Sequence, residues 1–569
     1  MVSLLGPYQS DVDHALEEMR DKQIMNRIWD HDYTIWGDDP DEIANRLGWL
    51  HSPETMADAV SNIEAFVEEV RAEGYDRALL LGMGGSSLAP EVYRRVFGVK
   101  NGYLDLSVLD STDPGAILTR WDALDPAKTL FIVSTKSGGT VETMSFMKYF
   151  YTRTVKALGV KEGKRHFTAI TDPGSGLASA ARDLGFRKIF LNDPNIGGRY
   201  SALSYFGLVP AALIGLDLHL LLKRADTMAC NSEGCNCPVG GDNLAARLGA
   251  VLGTLANAGR DKLTLVTSPA VSAFGPWVEQ LIAESTGKQG KGILPVEGET
   301  PGPPAVYARD RLFVYLRLEG DDALDEWMKT VSDSGHPVLE LNLDDLYDLG
   351  GQFFLWEMAT AVTGKFLGIN PFDQPNVESA KILARKMVDA FKNEGRLPEP
   401  QATLTIDGIT VYTEKGAGSL EDAIRAFMST ADPGKEEAAG RSYIAIQAYL
   451  APSAETTADL QEFRTRLQLS YRMATTVGYG PRFLHSTGQL HKGDAGNGMF
   501  FQITADTVED VSIPDQAGEA ASSITFGILK TAQALGDRQA LLDAGRPVIR
   551  FHLGKDIAAG LMRLVGAVA

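Results

Sequence analysis

Three hydroxyls, an ammonium and two glycines are packed into the run Thr135-Lys136-Ser137-Gly138-Gly139-Thr140. An apolar stretch at 130–133 reads as a buried parallel strand, and Val141, Met144, Met147 and Phe150 recur behind it at helical spacing. The run therefore stands at a helix N-terminus. Unpaired N–H groups and the helix dipole favour an anion there, glycine lets the backbone approach it, and hydroxyls add donors. Ser and Thr also serve as ordinary caps, so the lysine tips the balance towards phosphate. A second glycine-rich turn, Gly82-Met83-Gly84-Gly85-Ser86-Ser87, follows the strand at 78–81. Strands of one parallel sheet end on a common edge, so both turns can meet one ligand. No acidic residue is placed for a ribose, which disfavours a dinucleotide.

The elements that must carry these turns alternate strand and helix. Residues 1–75 read as helical and charged; strands near 78–81, 106, 131, 168 and 189 follow within a first unit, 76–220. A second unit, 245–395, has strands at 263–267, 312–316 and 338–341 and a long helical stretch at 351–393. Beyond 396–398 the elements shorten: a hairpin at 403–412, strands at 443–450 and 499–504, and a late strand at 548–552 suggest a smaller domain over 400–569. The fold class is α/β, with two doubly wound parallel-sheet domains and a smaller C-terminal α/β domain.

The 569 residues, 44% of them hydrophobic, suffice for about three or four cores. A net charge of −20 disfavours nucleic acid and anionic membrane, so an anionic ligand must be held by a few local cations. The longest apolar run, 206–216, is shorter than the roughly 20 residues that span a bilayer, and the first residues lack signal-peptide character. Cys230, Cys235 and Cys237 share one Asn/Gly/Pro-bearing segment with no fourth ligand, which reads as a loop of reduced thiols, not a metal site. A cytoplasmic protein is expected.

Several separated motifs resemble those of the phosphoglucose isomerases, a family built from two sugar-isomerase (SIS) domains. The Gly82 turn resembles its Gly-x-Gly-Gly-Ser element, and Thr135-Lys136-Ser137 with Thr140, Glu142 and Thr143 its phosphate loop. Gly197-Gly198-Arg199-Tyr200-Ser201 is similar to its Gly-Gly-Arg signature, the run from Gln280 through Glu284 to Lys288 to its catalytic segment, and that from Gln374 to Lys381 to its lysine segment. Over nearly the whole chain, the isomerase half of fused transaldolase/phosphoglucose isomerases is the closest likeness. A transaldolase barrel needs about 250 residues, for which the N-terminal segment is too short. The resemblance implies a cofactor-free, metal-independent interconversion of glucose 6-phosphate and fructose 6-phosphate. It further implies that Ser86, Thr135, Lys136, Ser137 and Thr140 hold the 6-phosphate, with Gly85 also in the substrate site. Alternatives are a noncatalytic SIS-fold sensor and an isomerase of another sugar phosphate, such as mannose 6-phosphate. A homodimer is a further expectation.

The chemistry asks for these residue types. Moving a proton between C1 and C2 of an open-chain sugar requires one base that takes it and returns it next door. Glu284 fits, and Gln280, one helical turn before it, can hold a substrate hydroxyl or water. Arg199 is placed to stabilise the enediolate. Lys381, seven residues after Gln374, reads as two helical turns along one face, and the resemblance implies that its ammonium contacts the ring oxygen or the C1 hydroxyl. The family's ring-opening histidine has no counterpart between 288 and 335, and His336 reads as part of a surface turn. Two histidines in the C-terminal run 480–493, His485 and His491, are the candidates for that task, in their own chain or a partner's.

Overall fold

The computed structural model of the chain describes residues 1–233, 243–398, 401–414, 416–432 and 441–568. Of the clustered cysteines only Cys230 falls within these; Cys235 and Cys237 lie outside the described residues. The chain opens with a short strand, β1 (Val2–Leu4), and then three main helices, Gln9–Asp21, Ile24–Trp29 and Ser52–Ala72. The first sheet follows: β2 (Arg77–Gly82), β3 (Asp105–Leu109), β4 (Thr129–Ser134), β5 (Phe167–Thr171) and β6 (Lys188–Leu191). All five run parallel in the order β3-β2-β4-β5-β6. β4 is buried at every position, as an apolar run covered by helices on both faces must be.

The second sheet holds β7 (Lys262–Thr267), β8 (Leu294–Val296), β9 (Arg311–Leu318) and β10 (Val338–Leu343). β1 closes its edge, antiparallel to β10 through Val2↔Glu340. The first residues are thus a strand of the second sheet rather than part of a helical segment. The third sheet is mixed. It contains β11 (Leu404–Ile406), β12 (Ile409–Tyr412), β13 (Tyr443–Tyr449), β14 (Thr475–Tyr479) and β15 (Gly498–Thr504). β16 (Ser512–Ile513) and β17 (Ile524–Thr525) form a separate two-stranded ribbon, and β18 (Val548–His552) returns to complete the order β11-β12-β18-β15-β13-β14.

The long helical stretch of the second unit is two helices, Leu349–Leu367 and Val377–Glu394. The first ends at Gly368 with φ +62°, a left-handed cap, and Pro371 and Pro375 keep the next nine residues out of helix. Gln374 therefore precedes the second helix, and the shared helical face with Lys381 does not exist. Leu349–Leu367 is buried along most of its length and belongs to a continuous core with Trp49, Tyr200, Phe274 and Trp277. That core joins the N-terminal helices to the flanks of both parallel sheets.

The C-terminal region is welded onto the rest. Phe146, on the helix after the Thr135 loop, stacks on Phe526 with ring centroids 5.9 Å apart, and Ile513 and Leu529 enter the same core. His336 is a correction to the sequence reading: it is 8% exposed, with Phe313 5.3 Å and Tyr307 6.3 Å away by ring centroids. Desolvation, then the charges of Arg260 and Arg311, push its imidazole down to about 4. No helix among the described residues is long and apolar enough to cross a membrane.

Candidate active site

Thr140 caps the helix Val141–Leu158 without a side-chain cap bond; its hydroxyl instead lies 3.0 Å from that of Thr135 across the loop. Gly138, at φ +68°, seats the loop on the next helix: a Cβ there would stand 2.3 Å from the Leu177 nitrogen. Ser137 is exposed, while Thr135 and Ser86 are buried. Lys136 is already engaged, with Nζ ion-paired to Asp172 and donating to the Pro194 carbonyl at 2.9 Å. Burial, partly offset by that pair, raises the Asp172 carboxyl above its usual range.

The Gly82 turn needs its glycines for close packing. A Cβ on Gly85 would fall 2.0 Å from the Gly198 carbonyl oxygen, and one on Gly84 2.9 Å from both Gln280 Nε2 and the His485 carbonyl oxygen. The turn is thereby pressed against the Gly-Gly-Arg loop, the helix Gly275–Thr286 and the 480s segment at once.

Arg199 sits 3% exposed at the centre of this junction. Its guanidinium donates to Ser285 Oγ (2.7 Å), Gln374 Oε1 (2.8 Å) and the carbonyls of Pro371 (2.7 Å) and Asp373 (3.0 Å). Nη1 also lies 3.3 Å from Glu284 Oε1. Gln280 Nε2 donates to Glu284 Oε2 at 3.0 Å and to the His485 carbonyl at 2.8 Å. Lys288 holds the 370–373 loop from beneath, donating to the carbonyls of Asn370 and Asp373 and to Asp373 Oδ1 at 2.6–2.8 Å. Burial, with Arg199 beside it, pulls the Lys288 ammonium down to about 8.

His485 bridges the two halves. Its carbonyl accepts from Gln280, and its ring Nε2 stands 3.0 Å from Oε1 of Glu142 on the phosphate-loop helix. Burial alone would raise the Glu142 carboxyl, but the charge and hydrogen bond of His485 outweigh it and hold the group below its usual value. His491 goes elsewhere. It is 2% exposed, enclosed by Tyr443, Phe483 and Phe500, and among the described residues only Gln447 reaches its ring nitrogens, at 3.3 Å. Desolvation and the neighbouring Lys492 and Arg546 keep its imidazole well below the ordinary range. The structure brings His485 to the Glu142 end of the junction and leaves His491 in the core of the third sheet.

A cavity of about 560 Å³ opens between the loop and the helix Val377–Glu394, lined by Ser137, Thr140, Glu142, Lys381, His485 and Gln533. The Lys381 side chain is 45% exposed, with Nζ 3.9 Å from Glu378. A larger cavity, about 770 Å³, lies beyond the Arg482–His485 turn, around Asp110, Glu279, Glu297 and Arg482. Its Arg482 and Asp110 pair with each other at 2.9 Å, and it has neither the hydroxyl loop nor a residue facing Glu284. The smaller cavity brings Ser137 and Thr140 of the hydroxyl loop beside Lys381 and His485, while Glu284, Arg199 and Gln280 line neither cavity. Among the described residues no cluster of His, Cys, Asp or Glu is arranged to hold a metal. Sequence reasoning quoted Glu142, Ser285 and Lys288 only as members of motifs, without a role, and passed over Gln533.

Doubly wound sheets meeting over a hydroxyl-lined loop, with a carboxylate held by a buried arginine, define the class as an α/β protein with two such sheet units. Residues 54–292 match the family model for phosphoglucose isomerase. A glucose-6-phosphate isomerase of Carboxydothermus hydrogenoformans is 29% identical over 395 residues, covering 59% of this chain and 83% of its own. One of Thermus thermophilus is 29% identical over 397 residues, covering 61% and 91%. Among solved structures, a hypothetical protein from Thermus thermophilus superposes with a TM-score of 0.58 at 25% identity, over 67% of this chain and 97% of that one. A glucose-6-phosphate isomerase of Chlamydia trachomatis, at 17% identity and a TM-score of 0.56 over 67% and 85%, shares the fold.

Proposed function

We propose that this chain is an aldose–ketose isomerase that interconverts glucose 6-phosphate and fructose 6-phosphate through an enediolate, with Glu284 as the base. The observation that carries the reading is the Glu284 carboxylate, held between Arg199 and Gln280 where the Gly82 turn, the Gly-Gly-Arg loop and the Gln374 loop converge. The relatives' shared name supports the substrate.

The 6-phosphate rests against Ser86, Thr135, Ser137 and Thr140 at the helix N-terminus, with Gly85 admitting the backbone and Lys136 leaving Asp172 to meet it. His485, backed by Glu142, opens the ring as acid and base. Lys381, on the wall of the same cavity, adds positive charge near the ring oxygen. Glu284 then removes the C2 proton and returns it to C1. Arg199 stabilises the charge that develops on oxygen between those steps, a contribution largest where water is excluded. Gln374 holds the Arg199 fork, and Gln280 orients Glu284. A hexose 6-phosphate is a metabolite of the cell interior, which supports a cytoplasmic placement.

A coupled assay from fructose 6-phosphate to glucose 6-phosphate tests this. With chelator present, the parent turns over and Glu284→Gln loses about 10²- to 10⁴-fold in kcat. A parent without activity, or a fully active Glu284→Gln, overturns the assignment.

A further inference from the structure

The helix Phe526–Asp543 turns three polar residues into buried partnerships: Lys530 with Asp113 (2.8 Å), Gln533 with Glu142 (2.6 Å) and Asp537 with Lys492 (2.6 Å). The middle one bears on the reaction. Gln533 is 3% exposed and both ends of its amide are committed: Nε2 donates to Glu142 Oε1, and Oε1 accepts from the Thr112 hydroxyl at 2.8 Å. The same Glu142 oxygen receives His485 Nε2. With the imidazole proton on Nε2, His485 and the Gln533 amide both donate to this one oxygen, an arrangement that favours the ionised carboxyl.

We infer that Gln533 is a positioning residue: by holding Glu142 as an anion it fixes the His485 tautomer and leaves Nδ1 as the nitrogen that exchanges protons with the sugar. This rests on the ring-opening role proposed for His485. In that step the C1–O5 bond breaks with its electron pair on O5, Nδ1 takes the O1 proton as the C1=O1 bond forms, and a proton returned from Nδ1 completes the O5 hydroxyl. Protonated Glu142 would instead offer its own O–H to Nε2, move the imidazole proton to Nδ1 and remove the base. The charged and titratable groups that face Glu142 are His485, Lys381 and Tyr449; the His485 hydrogen bond and the Lys381 charge favour its ionised form. Gln533 adds a neutral donor from the C-terminal region, so the acid limit of ring opening depends on a residue that acts through Glu142.

The test measures α/β anomer exchange of glucose 6-phosphate by NMR against pH, on a Glu284→Gln background so that no isomerisation competes. Gln533→Met is expected to move the acid limb upward by about one pH unit or more, because one N–H donor to a charged acceptor is lost, with KM unchanged. ¹⁵N shifts of labelled histidine should show the Nε2–H form of His485 surviving to lower pH in the parent than in the variant. Thr112→Val keeps the amide but frees it to turn; it should give a smaller shift in the same direction, and it carries the test if Gln533→Met does not fold. Unchanged limbs in folded variants, with His485→Gln devoid of exchange, overturn the role of Gln533 alone. Full exchange in His485→Gln overturns the ring-opening assignment and this inference together.

Discussion

Arg199 cannot be exchanged for lysine without loss, because its planar fork meets acceptors that diverge around it. Ser285, Gln374 and two carbonyls are each bonded within 3.0 Å, and a lysine has three donors on a single nitrogen. Arg199→Lys is expected to lower kcat about 10²-fold with little change in KM, since the lost interaction serves the enediolate. Steady-state kinetics on fructose 6-phosphate decide this; an equal fall in affinity and no fall in kcat would place Arg199 on the phosphate instead. Thr140→Val predicts the reverse split. Removing one hydroxyl donor to a phosphate raises KM about 10-fold or more and leaves kcat nearly intact. The hydroxyl loop was legible from its residue types at a helix start, whereas Arg199 and Glu284 stood out mainly through the family resemblance. Gln533 was not legible, because its partner Glu142 lies 391 positions away and an isolated glutamine on a helix carries no signature.

The elements were legible where their composition was extreme. β4 and β5, buried at every position, announced themselves as apolar runs, whereas β8, three residues long, and β14, with the sequence Thr-Thr-Val-Gly-Tyr, did not. The break at Gly368 was written in the chain as a glycine followed by two prolines, and helical periodicity on either side masked it. The helix before that break holds an unusual group. Glu357 is fully buried, neither of its oxygens has a hydrogen-bond partner among the described residues, and desolvation raises its carboxyl well above the ordinary value. The folded state therefore keeps a proton that the unfolded chain releases above pH ~4.5, and unfolding releases that proton. Stability from this group is present in full below the unfolded pKa and is lost as pH rises towards the folded one, by ~1 kcal/mol per pH unit. Glu357→Gln removes the titration. Denaturant unfolding at pH 5, 6 and 7 should show the parent losing stability relative to the variant at each step, and parallel curves would show that Glu357 is ionised in the fold.

At the scale of the whole molecule, the C-terminal region completes a site that the two parallel sheets leave open. It contributes His485 to the cavity and Gln533 to its wall, while the stacked pair Phe146 and Phe526 fixes the region against the phosphate-loop helix. None of this docking could be read from the chain, since it depends on surfaces that meet only after each part has folded. It does bear on assembly, because every residue assigned a role in the proposed mechanism belongs to one chain. Suppose the chain forms dimers, and Glu284→Gln is mixed with His485→Gln under conditions that exchange subunits. If His485 served the partner's Glu284, half of the mixed dimers' sites would pair two intact groups, and activity would recover towards a quarter of the parent's. With both groups drawn from one chain, every site in every mixed dimer carries one defect, and activity should stay at the level of the separate variants. Recovery towards a quarter would mean that the contact between His485 and Glu142 is exchanged between subunits in solution.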